Sequence, residues 1–205
     1  MAIYIGVRYS DTRCIIVRAT ENPMLIRRLT VALVPALALV ALISATAVGG
    51  APQAGGTFVD AGGNTIGWVR LVEDATGVVH VNVKVDGVTP GRHGIHIHAI
   101  GECGPTFAAA GGHYNPLGYQ HGLLNPSGAH AGDLPNLIVN EDGIGRLDSK
   151  TLGVTLSAGP TTLFDLTPGA AGSAFIIHAN EDDQLTDATN GNSGARIACA
   201  VIEAE

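Results

Sequence analysis

The chain has 205 residues, a formal net charge of −7, 4% aromatic and 14% charged residues, but 28 glycines and 10 prolines. This length supports one well-buried domain with an appendage and is too short for two ordinary domains with separate cores. The many turn formers and the few charges favour short strands over long charged helices, and the acidic balance argues against nucleic acid as a partner.

The N-terminal part of the chain predicts an export signal. We interpret residues 1–23 as an N-terminal extension or a mis-assigned start, because the pattern typical of a signal peptide begins only at Met24. Arg27 and Arg28 precede an uncharged, largely apolar run, and small residues up to Ala47 fit a cleavage site. Residues 24–47 are therefore predicted to be a signal peptide.

Cleavage of this segment is favoured over its use as a membrane anchor. The apolar run over residues 29–43 is shorter than the roughly 20 residues that span a bilayer, and it contains Pro35. We predict an exported protein, located in the periplasm, the cell envelope or outside the cell, whose mature domain covers residues 48–205. Membrane attachment is expected only if the signal stays uncleaved.

Export has consequences for the charge and for the cysteines. Residues 1–47 carry five arginines and two acids, so the mature domain would have a net charge of −10. Cys14 precedes the signal, and the mature domain keeps only Cys103 and Cys199. An even pair of cysteines in an oxidising compartment is most simply a disulfide.

Short strands are predicted along the mature domain. In residues 78–88, VVHVNVKVDGV, valines alternate with polar residues, which is typical of a strand with one buried face. Turn pairs such as Asp86-Gly87 and Asp142-Gly143 separate the segments. About eight short strands predict an all-β sandwich or barrel. The further candidates are residues 57–60, 65–72, 94–99, 137–139, 145–152, 161–166, 173–178 and 196–202.

Two long intervals, residues 100–134 and 179–195, contain no clear strand. Loops of this length in a compact domain are usually functional or disordered. These two contain most of the unusual chemistry of the chain.

All eight histidines lie in the predicted mature domain. His96 and His98 alternate with isoleucines, so both imidazoles should project from one face of a strand. Imidazole suits copper and zinc alike, and three imidazoles with one carboxylate make a reasonable tetrahedral zinc site. His80 matches no such position, and His93, at a turn, is expected to bond to the backbone. The remaining candidate ligands are His113, His121, His130, Asp133 and His178.

Several ordered motifs closely resemble the copper/zinc superoxide dismutases. They are GRHGIHIH at residues 91–98, GEC at 101–103, GGHYNPL at 111–117, HAGDL at 130–134 and GNSGARIAC at 191–199. The resemblance spans nearly the whole mature domain, in order and with compatible spacing. It implies an eight-stranded Greek-key β-barrel with two long functional loops, and an enzyme that converts superoxide into oxygen and hydrogen peroxide.

The resemblance also implies a role for each matching residue. Asp182 would link a copper histidine to a zinc histidine, Arg196 would dock the anionic substrate, and His113 would bridge both ions and supply a proton. His113 and Arg196 would therefore be the catalytic residues, and Cys103 and Cys199 would form the disulfide. The implied copper ligands are His96, His98, His113 and His178, and the implied zinc ligands are His113, His121, His130 and Asp133.

Two alternatives to the enzyme are a non-enzymatic metal-binding or copper-chaperone-like domain on the same fold, and a structural cell-surface module. Non-enzymatic relatives tend to lose copper ligands or the arginine, whereas this chain keeps them. One departure from the family pattern concerns residues 182–187, DDQLTD, where a lysine is often found and this chain has no base. Electrostatic steering of superoxide should therefore be weaker. The oligomeric state is left open between a monomer and a homodimer.

Overall fold

The structure is a computed structural model that describes residues 50–164 and 172–205. The predicted extension and signal peptide lie outside the described residues. Within the described ranges, no helix has the length and apolar character needed to cross a membrane. The strands are β1 (Gln53–Asp60), β2 (Thr65–Glu73), β3 (Val79–Val85), β4 (Gly91–His93), β5 (Ile95–His98), β6 (Leu137–Val139), β7 (Gly145–Thr151), β8 (Ala174–His178), β9 (Arg196–Val201) and β10 (Glu203–Ala204).

These strands form one antiparallel sheet that is nearly closed into a barrel. Its strand order is β4-β6-β7-β3-β2-β1-β9-β8-β5, so the path begins and ends on two strands that only Gly94 separates in the chain. Counted as one interrupted strand, β4 and β5 give eight strands, to which the short β10 adds at β1. The connection from β3 to β4 passes over β7 and β6, and the connection from β7 to β8 passes over β6 and the joined β4–β5 strand, as in a Greek key. The predicted eight-stranded barrel is confirmed.

Alternating apolar residues build the barrel core. In β3, the valines at positions 79, 81, 83 and 85 are buried while the residues between them are partly or fully exposed. Phe58 in β1 and Phe175 in β8 meet edge to face, with ring centroids 6.3 Å apart. Truncation of a buried phenylalanine typically lowers the free energy of unfolding by about 3–5 kcal/mol. A shift in strand register that exposed these rings would carry a similar cost, so the core fixes the register.

The first long loop covers the outer face of β8 and β9. Its 3₁₀ turns at Pro105–Ala110 bury Phe107 against Ile176 of β8 and Cys199 of β9. Cys103, just before these turns, is bonded to Cys199 across a sequence separation of 96 residues. The predicted disulfide is confirmed, and it fastens this loop to the barrel.

One predicted strand is wrong where the structure describes it. Residues 161–164 form a turn and a bend with a single bridge between Thr155 and Thr162, and residues 165–166 lie outside the described ranges. The segment bonds to its own loop, because the Leu163 amide donates to the Thr155 carbonyl at 3.0 Å. Leu163 is nevertheless buried, so its apolar character reflects the core and not a strand. The strands β4 and β10 were not predicted, and His93, which was expected at a turn, is the last residue of β4.

Candidate metal centre

Two neighbouring strands bring three histidines together. His96 and His98 belong to β5, which pairs with β8 from Ile95–Ile177 to His98–Ala174. His178 is the last residue of β8, and its ring centroid lies 4.9 Å from that of His96 and 5.7 Å from that of His98. The His-x-His pattern and the end of the apolar strand therefore meet at one place.

The first long loop lies directly on β5 and adds two more groups. His113 forms an isolated bridge with His98, and Asp133 forms one with His96. Between them, the Ile97 amide donates to the Gly132 carbonyl at 2.9 Å. A Cβ atom at position 132 would lie 2.3 Å from the Ile97 carbonyl oxygen, so only glycine allows the backbones to approach this closely.

Four buried ring nitrogens converge without hydrogen-bond partners. They are Nδ1 of His96 and Nε2 of His98, His113 and His178. The ligand atoms of these four residues lie within 4.8 Å of one another. A buried polar atom without a partner is costly, and four that face each other need a ligand to satisfy them. An all-imidazole donor set fits a copper ion.

The opposite nitrogens of three of these rings are already engaged. Nε2 of His96 lies 2.6 Å from a carboxylate oxygen of Asp182. Nδ1 of His98 lies 2.9 Å from the Gly111 carbonyl oxygen, and Nδ1 of His178 lies 3.1 Å from that of Gly194. An acceptor at the outer nitrogen fixes the tautomer, which leaves the lone pair of the inner nitrogen for a metal.

A second group surrounds Asp133. Its Oδ1 atom lies 3.0 Å from Nδ1 of His113, 3.0 Å from Nδ1 of His121 and 3.4 Å from Nδ1 of His130. Its Oδ2 atom accepts from the backbone amides of Gly122 and His130, which hold the carboxylate in place. Three imidazoles and one carboxylate fit a tetrahedral zinc ion. His113 takes part in both groups, through Nδ1 here and through Nε2 in the first group.

His96 also lies close to the ligand atoms around Asp133. The compact set within 4.8 Å contains His96 and omits His130. His96 comes this close because its ring packs against that of His113, with centroids 4.0 Å apart. Its Nε2 atom is engaged by Asp182 and its Nδ1 atom belongs to the first group. Since Nδ1 of His130 lies 3.3 Å from Nδ1 of His113, His130 is the better fourth donor.

Asp182 joins the two groups. Besides its bond to His96, it places Oδ1 3.0 Å from Nε2 of His121. Asn136 holds the backbone of Asp182 from both sides, with two hydrogen bonds of 2.9 Å. Gly191, with a φ of +67°, makes room for the carboxylate, because a Cβ atom there would lie 1.7 Å from Asp182 Oδ1. Neither Asn136 nor Gly191 was singled out from the sequence, and only the position of Gly191 in a family motif gave a signal.

Arg196 lies beside the first group, at the start of β9. Its Nη1 atom donates to the Phe107 carbonyl and its Nη2 atom to the Gly111 carbonyl, both at 2.5 Å. The Gly111 carbonyl oxygen also accepts a hydrogen bond from Nδ1 of His98. The guanidinium is thus held next to His98, a member of the first group.

The histidines outside these groups behave differently. His93 is buried, and its two ring nitrogens lie 2.8 Å from the His178 carbonyl and 2.9 Å from the Thr89 carbonyl. The expectation of backbone bonding for His93 is confirmed. His80 stands on the outer face of β3 and pairs with Asp74.

Burial keeps most of the clustered imidazoles neutral. It lowers the pKa of His96 to about 3, that of His98 to about 2 and that of His178 to about 4. For His121, burial opposes protonation, but hydrogen bonds with Asp133 and Asp182 outweigh it and raise the pKa to about 9. A neutral imidazole keeps the lone pair that a metal needs.

The metal-free protein should lose stability as the pH falls below about 6.5, the ordinary histidine pKa. In this range the unfolded chain takes up protons that the folded His96, His98 and His178 reject, at up to about 1.4 kcal/mol per pH unit for each residue. His121 adds no slope here, because it is protonated in both states; its contribution is lost only as the pH rises from about 6.5 to about 9. Urea unfolding between pH 4.5 and 6.5 measures the slope, and His98→Gln should make it shallower. A flat profile would contradict the burial of neutral rings.

Comparison with known proteins agrees with this geometry. Residues 65–202 match the family model of copper/zinc superoxide dismutase. A copper/zinc superoxide dismutase of Aquifex aeolicus is 41% identical over 148 residues, which are 71% of this chain and 83% of that protein. The copper/zinc superoxide dismutase of Deinococcus radiodurans is 36% identical over 188 residues, which are 85% of this chain and 97% of that protein.

A solved structure is similar as well. The crystal structure of a superoxide-dismutase-like protein from Bacillus subtilis superposes with a TM-score of 0.64 at 38% identity, and covers 72% of this chain and 96% of its own. Fold, sequence and clustered histidines thus agree. The chain belongs to the copper/zinc superoxide dismutase family.

Proposed function

We propose that this protein is a superoxide dismutase, which converts two superoxide anions and two protons into dioxygen and hydrogen peroxide. The observation that carries the proposal is the convergence of four partnerless imidazole nitrogens beside the guanidinium of Arg196. A redox ion and an anion-binding group are the two components that this reaction needs.

The two groups of ligands are assigned to different metals. His96, His98, His113 and His178 would hold copper, and His113, His121, His130 and Asp133 would hold zinc. Copper supplies a one-electron redox couple when bound, whereas zinc has no redox chemistry. One superoxide gives up an electron and leaves as dioxygen; the other takes up an electron and two protons and leaves as hydrogen peroxide.

Arg196 binds the substrate. A guanidinium has five N–H donors, and two nitrogens of Arg196 already donate to the Phe107 and Gly111 carbonyls. Its remaining donors can form charge-assisted hydrogen bonds to superoxide. The carbonyl contacts fix the direction of the guanidinium, so the anion is held on the side of His98.

His113 is the proton carrier. Its Nε2 atom faces the first group and has no other hydrogen-bond partner, so it would carry a proton to the reacting anion when that nitrogen is not holding the metal. Asp133 holds the ring from the Nδ1 side at 3.0 Å, and the ring therefore keeps its orientation while Nε2 changes state. Asp182 fixes His96 in the same way, through its outer nitrogen.

A non-enzymatic metal-binding or copper-chaperone-like domain is the alternative, since the solved Bacillus subtilis neighbour is described only as superoxide-dismutase-like. The presence of every implied ligand together with Arg196 favours the enzyme. Metal binding without turnover would favour the alternative.

Replacement of His113 by alanine should lower superoxide dismutation by about 10²-fold or more, since the variant loses both a shared ligand and a proton carrier. Metal content is measured by elemental analysis, and turnover by a superoxide assay, on the wild type and on His113→Ala. The matched control is His80→Ala, which removes an imidazole on the outer face of the barrel and should leave turnover unchanged.

Each result separates the hypotheses. Unchanged turnover in His113→Ala would refute the proposed mechanism. A wild type that binds both metals but does not dismutate superoxide would support the chaperone-like function instead.

Activity should depend only weakly on salt, because residues 182–187 contain no base to steer superoxide. Leu185 is exposed in this loop, and Leu185→Lys should raise kcat/KM about 2-fold at low ionic strength. The gain should fade as salt shortens the Debye length to about 8 Å. Leu185→Gln is the control, since it changes polarity at the same position without adding charge. A steep loss of wild-type activity with salt would count against weak steering.

The proposal includes export to an oxidising compartment, which the disulfide between Cys103 and Cys199 supports. The full chain expressed in a bacterium should be released with Val48 as its first residue, as read by intact mass. Ala47→Phe should block cleavage because the site needs a small residue, whereas Ala47→Ser should not. Recovery of the uncleaved wild type from the cytoplasm would contradict export.

A further inference from the structure

Asp187 lies in the second long loop and has no assigned role. It contacts the group formed by His113, His121, His130 and Asp133, which we call the zinc-type group. It begins the 3₁₀ segment Asp187–Asn192. Its Oδ1 atom accepts a hydrogen bond of 2.6 Å from the backbone amide of His121. The same oxygen lies 3.9 Å from Nε2 of His130.

The outer nitrogens of the zinc-type histidines need acceptors. A metal-bound histidine usually presents its outer N–H to a carboxylate, a carbonyl or a water. His121 has Asp182 in this place, at 3.0 Å. For His130, the corresponding carboxylate is Asp187.

We propose that Asp187 is a positioning residue for zinc: it orients the imidazole of His130 from its outer nitrogen and holds the backbone of His121. The inference rests on the zinc assignment made above. A distance of 3.9 Å exceeds a direct hydrogen bond, so the carboxylate acts on His130 through its charge or through one bridging water. The bond to His121 is direct.

His130 depends on such a partner more than the other ligands do. Its side chain is 11% exposed, against 1% for His113 and 0% for His121, so packing restrains it least. Its Nδ1 atom is also farther from Asp133 Oδ1 than those of the other two rings. A charge on the outer side therefore has the largest effect on this ring.

The effect should be confined to zinc. Asp187 contacts His121 and His130, whereas the outer nitrogens of His98 and His178 are held by backbone carbonyls. The second long loop thus provides two carboxylates with separate tasks. Asp182 couples the two metal groups, and Asp187 secures the exposed edge of one of them.

The test compares three substitutions in the full chain. Asp187→Asn removes the charge but can still accept from the His121 amide, Asp187→Ala removes both functions, and Asp187→Glu retains the charge. Zinc affinity is measured by competition with a chromophoric chelator. It should fall about 10-fold in Asp187→Asn, the lower end for such partners, further in Asp187→Ala, and least in Asp187→Glu. Copper affinity should stay unchanged.

Asp183→Asn is the matched control for loop structure. Asp183 bonds within the same loop, to Leu185, Thr186 and Asn192, and contacts no zinc-type ligand in the described residues. An equal loss of zinc affinity in Asp183→Asn would show that loop order alone matters and would overturn the proposal. An unchanged zinc affinity in Asp187→Ala would overturn it as well.

A spectroscopic measurement separates positioning from general stability. Cobalt(II) bound in place of zinc shifts the ring N–H signals of its ligands in the proton NMR spectrum. The signal of the His130 outer N–H should exchange with water faster in Asp187→Asn than in the wild type, and equal exchange would contradict the proposal. A wild type that takes up neither zinc nor cobalt at this group would refute the zinc assignment, and the inference with it.

Discussion

The site depends on one electrostatic constraint: six imidazoles can share a small buried volume only if most of them are uncharged. Burial provides this by lowering the pKa of His96, His98 and His178 far below the ordinary value. Asp182 holds the outer nitrogens of His96 and His121, and the carbonyls of Gly111 and Gly194 hold those of His98 and His178. The cluster is therefore built to present lone pairs, which is a requirement for metal binding and a cost for a metal-free protein.

The barrel makes this cost tolerable because its strands are held elsewhere. The registers of β5 and β8 are set by apolar residues such as Ile97 and Phe175, which are fully buried in the core. The histidines project from the opposite side of these strands and inherit their spacing. The loop that completes the site joins β5 through Gly132, whose contact with Ile97 tolerates no side chain.

The sequence predicted the parts of this arrangement that follow from strand periodicity and family motifs. Alternation identified β3 and the shared face of His96 and His98, and the disulfide followed from two cysteines. The sequence did not predict the contacts between loops. No periodic pattern shows that Asn136 bonds to Asp182 or that the Asp187 carboxylate lies near the His130 ring. The strand prediction for residues 161–164 was wrong for a related reason, because a buried apolar residue gives the same sequence signal in a loop as in a strand.

Arg196 shows how the disulfide is coupled to chemistry. Its guanidinium is held by the carbonyls of Phe107 and Gly111. Both carbonyls follow Cys103 in the chain, and Cys103 is bonded to Cys199, three residues after Arg196. One covalent link thus fixes both the base and the carbonyls that aim it. The mature domain is expected to be acidic and its second loop has no base between residues 182 and 187, so the field around the site does little to attract an anion. Under the proposed function, selectivity for superoxide would come from the short-range geometry of this one guanidinium beside His98, and that geometry is what the disulfide preserves.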